Sequence, residues 1–135
     1  MRRSRDAIRE SLAEVWDSGG RTFVTFEVVR NGRPDPDLWV QWIDGQINLR
    51  WPRDDDPRTA LPRLGAPLPP GAFVSFHVAD SNAIVGALDA RIDDVAEFIE
   101  RFCARVLAND VRCEVAARID RCIPRRDNFL SRANR

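Results

Sequence analysis

The sequence contains a single histidine, His77, so imidazole catalysis or histidine-based metal binding would have to centre on it. His77 lies in the alternating run of residues 73–79, and Ser75 falls two residues away on the same predicted strand face. A Ser-His-Asp mechanism needs a third group that orients the imidazole, and the pattern around these two residues supplies none. His77 is therefore predicted to be a surface histidine, and no catalytic residue is predicted.

Acidic side chains form two clusters with a bearing on metal binding. The aspartates at residues 54–56 are adjacent, so they point in different directions and lack the spaced ligands of a calcium loop. Asp93 and Asp94 stand immediately before an apolar helical stripe, where carboxylates favour the positive end of the helix. We predict a solvated loop, a helix start and no metal site.

Several classes of chemistry lack their usual residues. All 21 basic side chains are arginine, so Schiff-base formation, pyridoxal phosphate attachment and a P-loop lysine are excluded. Cys103, Cys113 and Cys122 form no C-x-x-C pair, a pattern typical of reduced cytosolic thiols. The chain is accordingly predicted to be non-enzymatic and to need no cofactor.

Composition favours one soluble domain. A chain of 135 residues with 44% hydrophobic residues can bury a core of its own. Its 21 acidic side chains balance the 21 basic ones, which makes nucleic-acid binding unlikely. With no secretory signal and no membrane-length apolar run, the protein is predicted to be cytoplasmic. The abundance of Arg, Ala, Pro and Asp indicates a GC-rich bacterial genome. Residues 1–120 are predicted to form the domain and residues 121–135 a basic, flexible tail.

The hydrophobic periodicity predicts an α+β fold. We expect an antiparallel sheet of about five to six strands in a meander, with an N-terminal helix and a long helix near the C-terminus. The predicted helices are residues 4–17 and 93–109, and the predicted strands are 22–30, 38–43, 46–51, 73–79, 83–91 and 111–120. The segment 83–91 is ambiguous, because its apolar residues suit either a short strand or the start of a helix, and we choose the strand. Residues 52–71 hold six of the nine prolines and are expected to be a surface connection with a single helical turn at 59–64. In the strand at 73–79, Val74, Phe76 and Val78 are expected to face inward.

The dipeptide Asp44-Gly45 carries the most specific local signal. Asp-Gly is favoured in a two-residue type I′ hairpin, because both central residues need positive φ. That turn pairs Trp42 with Ile47 and gathers the apolar residues of both strands on one face. Turn chemistry and hydrophobic pattern thus specify the same register.

The same register places Trp39 on the opposite, polar face, directly across from Arg50, where a cation–π contact could form. Either a helix covers that face and Trp39 belongs to the core, or the ring is exposed and marks a partner surface. The pattern leaves both alternatives open.

Three segments are similar to parts of a known superfamily: LWVQWIDGQINLRW in the hairpin, LPRLGAPLPPGAFVSFHVAD before and within the next strand, and VAEFIERFCARVL in the closing helix. Over residues 4–107 the chain resembles the bacterial superfamily of type III secretion chaperones and YbjN-like proteins. Members usually carry a helix at the position of residues 52–71. The resemblance implies a homodimer that holds a partner polypeptide against its sheet or helices, without catalysis or cofactor.

Together these observations predict a chaperone-like or adaptor-like domain that binds another protein as a homodimer. Trp39, Arg50 and His77 are the predicted partner-binding residues. The alternative is a small-molecule-binding or enzymatic domain with a pocket between sheet and helices, where His77, Arg50 and the 54–56 loop converge.

Overall fold

Residues 4–122 are described in the computed structural model of the protein. Their elements follow in the order α1 (Ser4–Val15), β1 (Thr22–Arg30), β2 (Arg33–Ile43), β3 (Gln46–Arg50), α2 (Pro57–Arg63), β4 (Phe73–Val78), β5 (Asn82–Gly86), α3 (Ile92–Phe102) and β6 (Val115–Arg121). A π-helical turn, Cys103–Leu107, continues α3. The predicted N-terminal helix and the predicted long helix near the C-terminus are confirmed. The single turn expected at 59–64 is instead the seven-residue helix α2, about two turns long. The predicted tail falls largely on residues 123–135, outside the described residues.

All six strands form one sheet in the order β4-β5-β3-β2-β1-β6, and every neighbouring pair is antiparallel. The predicted α+β class is confirmed. Strands β1 to β3 follow one another as a meander, but β5 rather than β4 pairs with β3. Strand β4 is therefore one edge of the sheet, and β6, which pairs with β1, is the other.

The β2–β3 hairpin has the predicted turn and register. Asp44 and Gly45 have φ values of 44° and 79°, as a type I′ turn requires. Trp42 pairs with Ile47 and Val40 with Leu49, which brings their side chains onto one face. That face is the buried one.

Helices α1 and α3 pack against this face of the sheet, and their contact layer is the core. Ile8, Leu12 and Val15 of α1 meet the apolar stripe of α3. The largest fully buried side chains are Trp51, Phe26, Phe98, Phe102, Leu12, Ile47, Leu49, Leu61, Ile99, Val24, Val28 and Val40. All described helices contribute to this one cluster, so the core occupies a single side of the sheet.

Helix α2 lies within the proline-rich connection. Pro57 occupies its first turn, and the Asp56 side chain caps it by accepting a hydrogen bond of 2.9 Å from the backbone N–H of Arg58. Ala60 and Leu61 are fully buried in the core. The cap starts the helix and the two apolar residues hold it on the domain.

The expected facing of β4 is wrong beyond Val74. A register shift between Val74 and Phe76 marks a β-bulge at Ser75, and a bulge reverses which side chains point to each face. Val74 is buried, whereas Phe76 is 52% exposed and Val78 is 44% exposed. The ambiguous segment 83–91 is a strand as far as Gly86 and is not regular beyond it.

Candidate functional site

The sheet face opposite the helices, here called the open face, carries the most developed surface feature. Its residues alternate with the core residues along each strand and no described helix packs on it. A groove of about 500 Å³ lies across it. The groove is lined by Thr25, Glu27, Pro36, Trp39, Gln41, Gln46, Asn48, Asn82, Ile84 and Arg118.

A chain of hydrogen-bonded side chains crosses the floor of the groove from β3 to β1. The Gln46 amide donates to Asn48 Oδ1 at 2.7 Å, and the Asn48 amide donates to Gln41 Oε1 at 3.0 Å. The Gln41 amide in turn donates to Thr25 Oγ1 at 3.3 Å. Each amide retains further donor or acceptor capacity, so this row can hydrogen-bond a ligand while the neighbours fix its orientation.

The two charged residues of the groove are paired with one another. Arg118 Nη1 lies 3.0 Å from Glu27 Oε1, and Glu27 is only 8% exposed. Arg118 Nε also donates to Asp120 Oδ2 at 2.9 Å, and these two carboxylates, Asp120 first, hold the pKa of Arg118 above its ordinary value. The charges of Glu27 and Arg118 cancel within the groove lining, and Asp120, which shares Arg118, lies outside that lining.

Trp39 forms one wall of the groove. Its β2 position pairs with Glu27 on β1, and its side chain is half-buried. The prediction that it lies opposite the buried rings of Trp42 and Trp51 is confirmed. No described helix covers the ring, so the first alternative does not hold for residues 4–122, while the ring itself is only partly exposed.

Arg50 is engaged at the end of β3. Its Nη1 donates to the backbone oxygens of Trp51, at 3.3 Å, and Asp80, at 2.6 Å, and also to that of Ser81. Arg50 pairs with Asn82, a groove residue, but does not itself line the groove. Arg50 therefore holds the β4–β5 turn against the end of β3, beside the groove.

His77 lies on the other side of the sheet. The bulge pairs it with Ala83, a core position, and its Nδ1 is 3.2 Å from Nη1 of Arg58 on α2. The same Nη1 is 3.2 Å from Asp56 Oδ1. The structure therefore links His77 to the 54–56 loop through Arg58, while Trp39 and Arg50 belong to the opposite face.

Within residues 4–122, the remaining acidic residues and cysteines form no metal site or reactive thiol centre. No group of three or more His, Cys, Asp or Glu side chains there is arranged to hold a metal ion, and no described helix is long and apolar enough to cross a membrane. The three cysteines are free, and burial raises the pKa of the Cys103 thiol, which keeps that sulfur protonated and unreactive.

The role of Arg118 could not be predicted from the sequence. Alternation along β1 and β6 places Thr25, Glu27 and Arg118 on polar faces. The pairing of β1 with β6, which brings Glu27 to Arg118, joins residues 91 positions apart and leaves no local signal.

Comparisons of this chain with protein-family models, curated proteins and solved structures found no significant match.

Proposed function

We propose that this chain is a non-enzymatic, chaperone-like or adaptor-like domain that acts as a homodimer and binds a segment of another protein on its open face. The observation that carries the proposal is the half-buried Trp39 ring, which lines the groove beside an uncharged row of amides. Tryptophan is enriched among the residues that dominate binding energy at protein interfaces. Amide side chains can donate to and accept from the peptide groups of an extended segment.

The neutrality of the groove favours a polypeptide partner of low charge. Because Glu27 and Arg118 neutralise each other, a strongly charged ligand such as a nucleic acid gains little there. An uncharged peptide segment with one apolar side chain against Trp39 leaves no buried charge unpaired.

The order of elements also supports the proposal. From Ser4 to Phe102 the chain runs helix, three strands, helix, two strands, helix, and α2 occupies the position where the secretion-chaperone superfamily usually has a helix. The cytoplasmic, bacterial setting is part of the same proposal and is consistent with free thiols at all three cysteines.

The proposal is tested by capturing partners from a bacterial host and then measuring binding of the recovered protein by calorimetry. We expect Trp39→Ala to weaken that binding at least about tenfold, as a central aromatic contact does. Leu88→Ala is the control, because Leu88 is 80% exposed but does not line the groove. Repeated failure to recover a partner, or equal binding by both variants, would refute the proposal.

A small-molecule ligand is the second candidate, supported by the volume of the groove. About 500 Å³ lies within the range of ligand sites, which is roughly 300–1,000 Å³. This candidate differs from the sequence-based alternative, because the groove is on the open face and not between sheet and helices. A ligand that stabilises the wild-type chain but not Trp39→Ala in a thermal-shift screen would favour it.

A further inference from the structure

The buried polar side chains of the described part of the chain lie together in the open-face groove. Among residues 4–122, the polar or charged residues that are buried are Thr25, at 6% exposure, and Glu27, at 8%. Both stand on β1, two positions apart, and both line the groove. Burying a polar group costs free energy unless it is hydrogen-bonded, and burying a carboxylate costs more. Their burial on a face that no described helix covers indicates a prepared binding surface.

The register of the sheet sets the neighbours of these two side chains. Thr25 pairs with Gln41 of β2 and with Arg118 of β6. Glu27 pairs with Trp39 of β2. Side chains paired in this way on one face of a sheet are direct neighbours. The buried carboxylate therefore has the Trp39 ring on one side and the Arg118 guanidinium on the other.

Glu27 and Arg118 are joined by one hydrogen bond and keep further capacity. Arg118 Nη1 donates to Glu27 Oε1 at 3.0 Å, and Arg118 Nε donates to Asp120 Oδ2 at 2.9 Å. An arginine and a carboxylate can form two parallel hydrogen bonds, but Nη2 and Oε2 make none within residues 4–122. Oε2 is not among the side-chain atoms buried without a partner, so solvent reaches it. The pair thus offers a free donor and a free acceptor to an occupant of the groove.

We infer that the Glu27–Arg118 pair binds the side-chain carboxamide of an asparagine or glutamine in the partner segment. The inference rests on the proposed function and names the chemical group that the groove recognises. The NH2 of the carboxamide donates to Glu27 Oε2, and its oxygen accepts from Arg118 Nη2. The aliphatic stem that carries the amide lies beside the Trp39 ring.

A carboxamide fits this pair better than the other polar groups of a polypeptide. A carboxylate can only accept hydrogen bonds and meets Glu27 as a like charge. Lysine and arginine can only donate and meet Arg118 as a like charge. A main-chain peptide group has a donor and an acceptor, but its trans geometry points them in opposite directions. The carboxamide carries both on the same edge.

The charges around the pair disfavour an anionic side chain in particular. Asp120 shares Arg118, so that one guanidinium compensates two carboxylates. A third carboxylate would enter a region that already has an excess of negative charge, and the burial of Glu27 strengthens the repulsion. The pair should therefore distinguish glutamine from glutamate, which have nearly the same size. A pair that only holds β6 against β1 predicts no such discrimination.

The test uses three acetylated and amidated peptides of the form Ala-Leu-X-Ala-Ala, in which X is Gln, Glu or Met. Their binding to the full chain is followed by NMR titration, which measures weak dissociation constants. The glutamine peptide should bind at least about tenfold more tightly than the glutamate peptide. It should also bind more tightly than the methionine peptide, whose side chain has a similar length but no amide. The largest shifts should fall on Glu27 and Arg118.

Variants of the pair test the role of each member. Glu27→Gln removes the charged acceptor and should reduce the preference for glutamine over glutamate about tenfold. Arg118→Gln alters a side chain that is 59% exposed and should weaken the glutamine peptide about tenfold. Glu97→Gln is the matched control, because Glu97 is also paired with an arginine, Arg101 at 2.9 Å, but on α3 at the helix-covered side of the sheet. Circular dichroism and melting of each variant exclude loss of folding as the cause.

Equal binding of the glutamine and glutamate peptides would overturn the inference, as would no detectable binding of the glutamine peptide. So would a preference that Glu27→Gln and Glu97→Gln change alike. Failure of the proposed function is separate: it appears as unchanged partner binding by Trp39→Ala, whatever the preference among the three peptides.

Discussion

Gly45 is the residue at which the β2–β3 turn and the segment after β5 meet. Its φ of 79° lies in the left-handed region that favours glycine. A Cβ placed on it would be 2.6 Å from Leu88 Cδ1 and 3.1 Å from Leu88 Cα. Its carbonyl also accepts a hydrogen bond of 2.8 Å from the Ala87 N–H. Glycine is therefore favoured at position 45 for two reasons: the positive φ of the turn and the close approach of Leu88.

Comparing Gly45→Val with Gly32→Val should separate the effect of positive φ from the effect of the close approach of Leu88. Gly32 occupies the same position of the β1–β2 turn, with a φ of 75°, but a Cβ there meets nothing within 4 Å. Gly32→Val should lower the free energy of unfolding by about 1–3 kcal/mol through backbone strain alone. Gly45→Val should lower it by about 1 kcal/mol more, because Leu88 Cα lies 3.1 Å from the added Cβ, whereas the exposed Leu88 side chain can turn away. Urea denaturation measures both, and equal losses would contradict the close approach.

Two buried tryptophans differ in how their polar group is satisfied. Trp51 Nε1 donates to the Asp55 carbonyl at 2.8 Å, which fixes the start of the connection to α2. Trp42 Nε1 has no hydrogen-bond partner among residues 4–122, and its ring is stacked on Trp16 with centroids 4.4 Å apart. Trp42 thus contributes through its apolar surface and ring stacking.

At the scale of elements, α2 depends on its surroundings for stability. Seven residues are too few for a helix to persist alone in water. The Asp56 cap, the buried Ala60 and Leu61, and the Arg58 contacts to Val74 and His77 hold it against the edge of the sheet. The hydrogen bond from the Arg58 N–H, and next the Arg58 guanidinium, hold the pKa of Asp56 below its ordinary value of 3.8.

A lowered pKa of Asp56 makes part of the stability dependent on pH. Because the folded pKa is below the unfolded one, the contribution is present above about pH 4 and is lost as the pH falls through the folded value. Asp56→Asn keeps a capping side chain but removes the charge. We expect its free energy of unfolding to fall less steeply below pH 4 than that of the wild type. Asp54→Asn, in the same loop, is the control, and an identical slope for both variants would contradict the role of Asp56.

Elements with local signals were predicted well, and those that depend on distant pairing were not. The β2–β3 hairpin was correct because the Asp44-Gly45 turn and the apolar alternation are both encoded within a few residues. The facing of Phe76 and Val78 was wrong because nothing in the alternating sequence marks the bulge at Ser75. The place of β5 beside β3 follows from packing across the whole chain, which a local pattern does not encode.

At the scale of the whole molecule, the domain has two layers and three surfaces of different kinds. The helices cover one face of the sheet, the groove lies on the other, and the exposed side chains of Phe73, Phe76 and Val78 on β4 border the groove. The sequence predicted that Trp39 faces away from the core, because alternation within β2 decides it. The groove itself depends on β1, β2, β3, β5 and β6 together.

Because one face of the sheet is buried and the other is not, we expect substitutions at Trp42 and Trp39, three positions apart on β2, to lower stability by very different amounts. Trp42→Ala empties a buried site against Trp16 and should lower the free energy of unfolding by about 3–5 kcal/mol. Trp39→Ala removes a half-buried ring from the open face, leaves no enclosed cavity, and should lower the free energy of unfolding by about 1 kcal/mol. Urea denaturation followed by far-ultraviolet circular dichroism measures both without relying on tryptophan fluorescence. A loss at Trp39 as large as that at Trp42 would mean that the open face is part of a core, which would remove the basis for partner binding there.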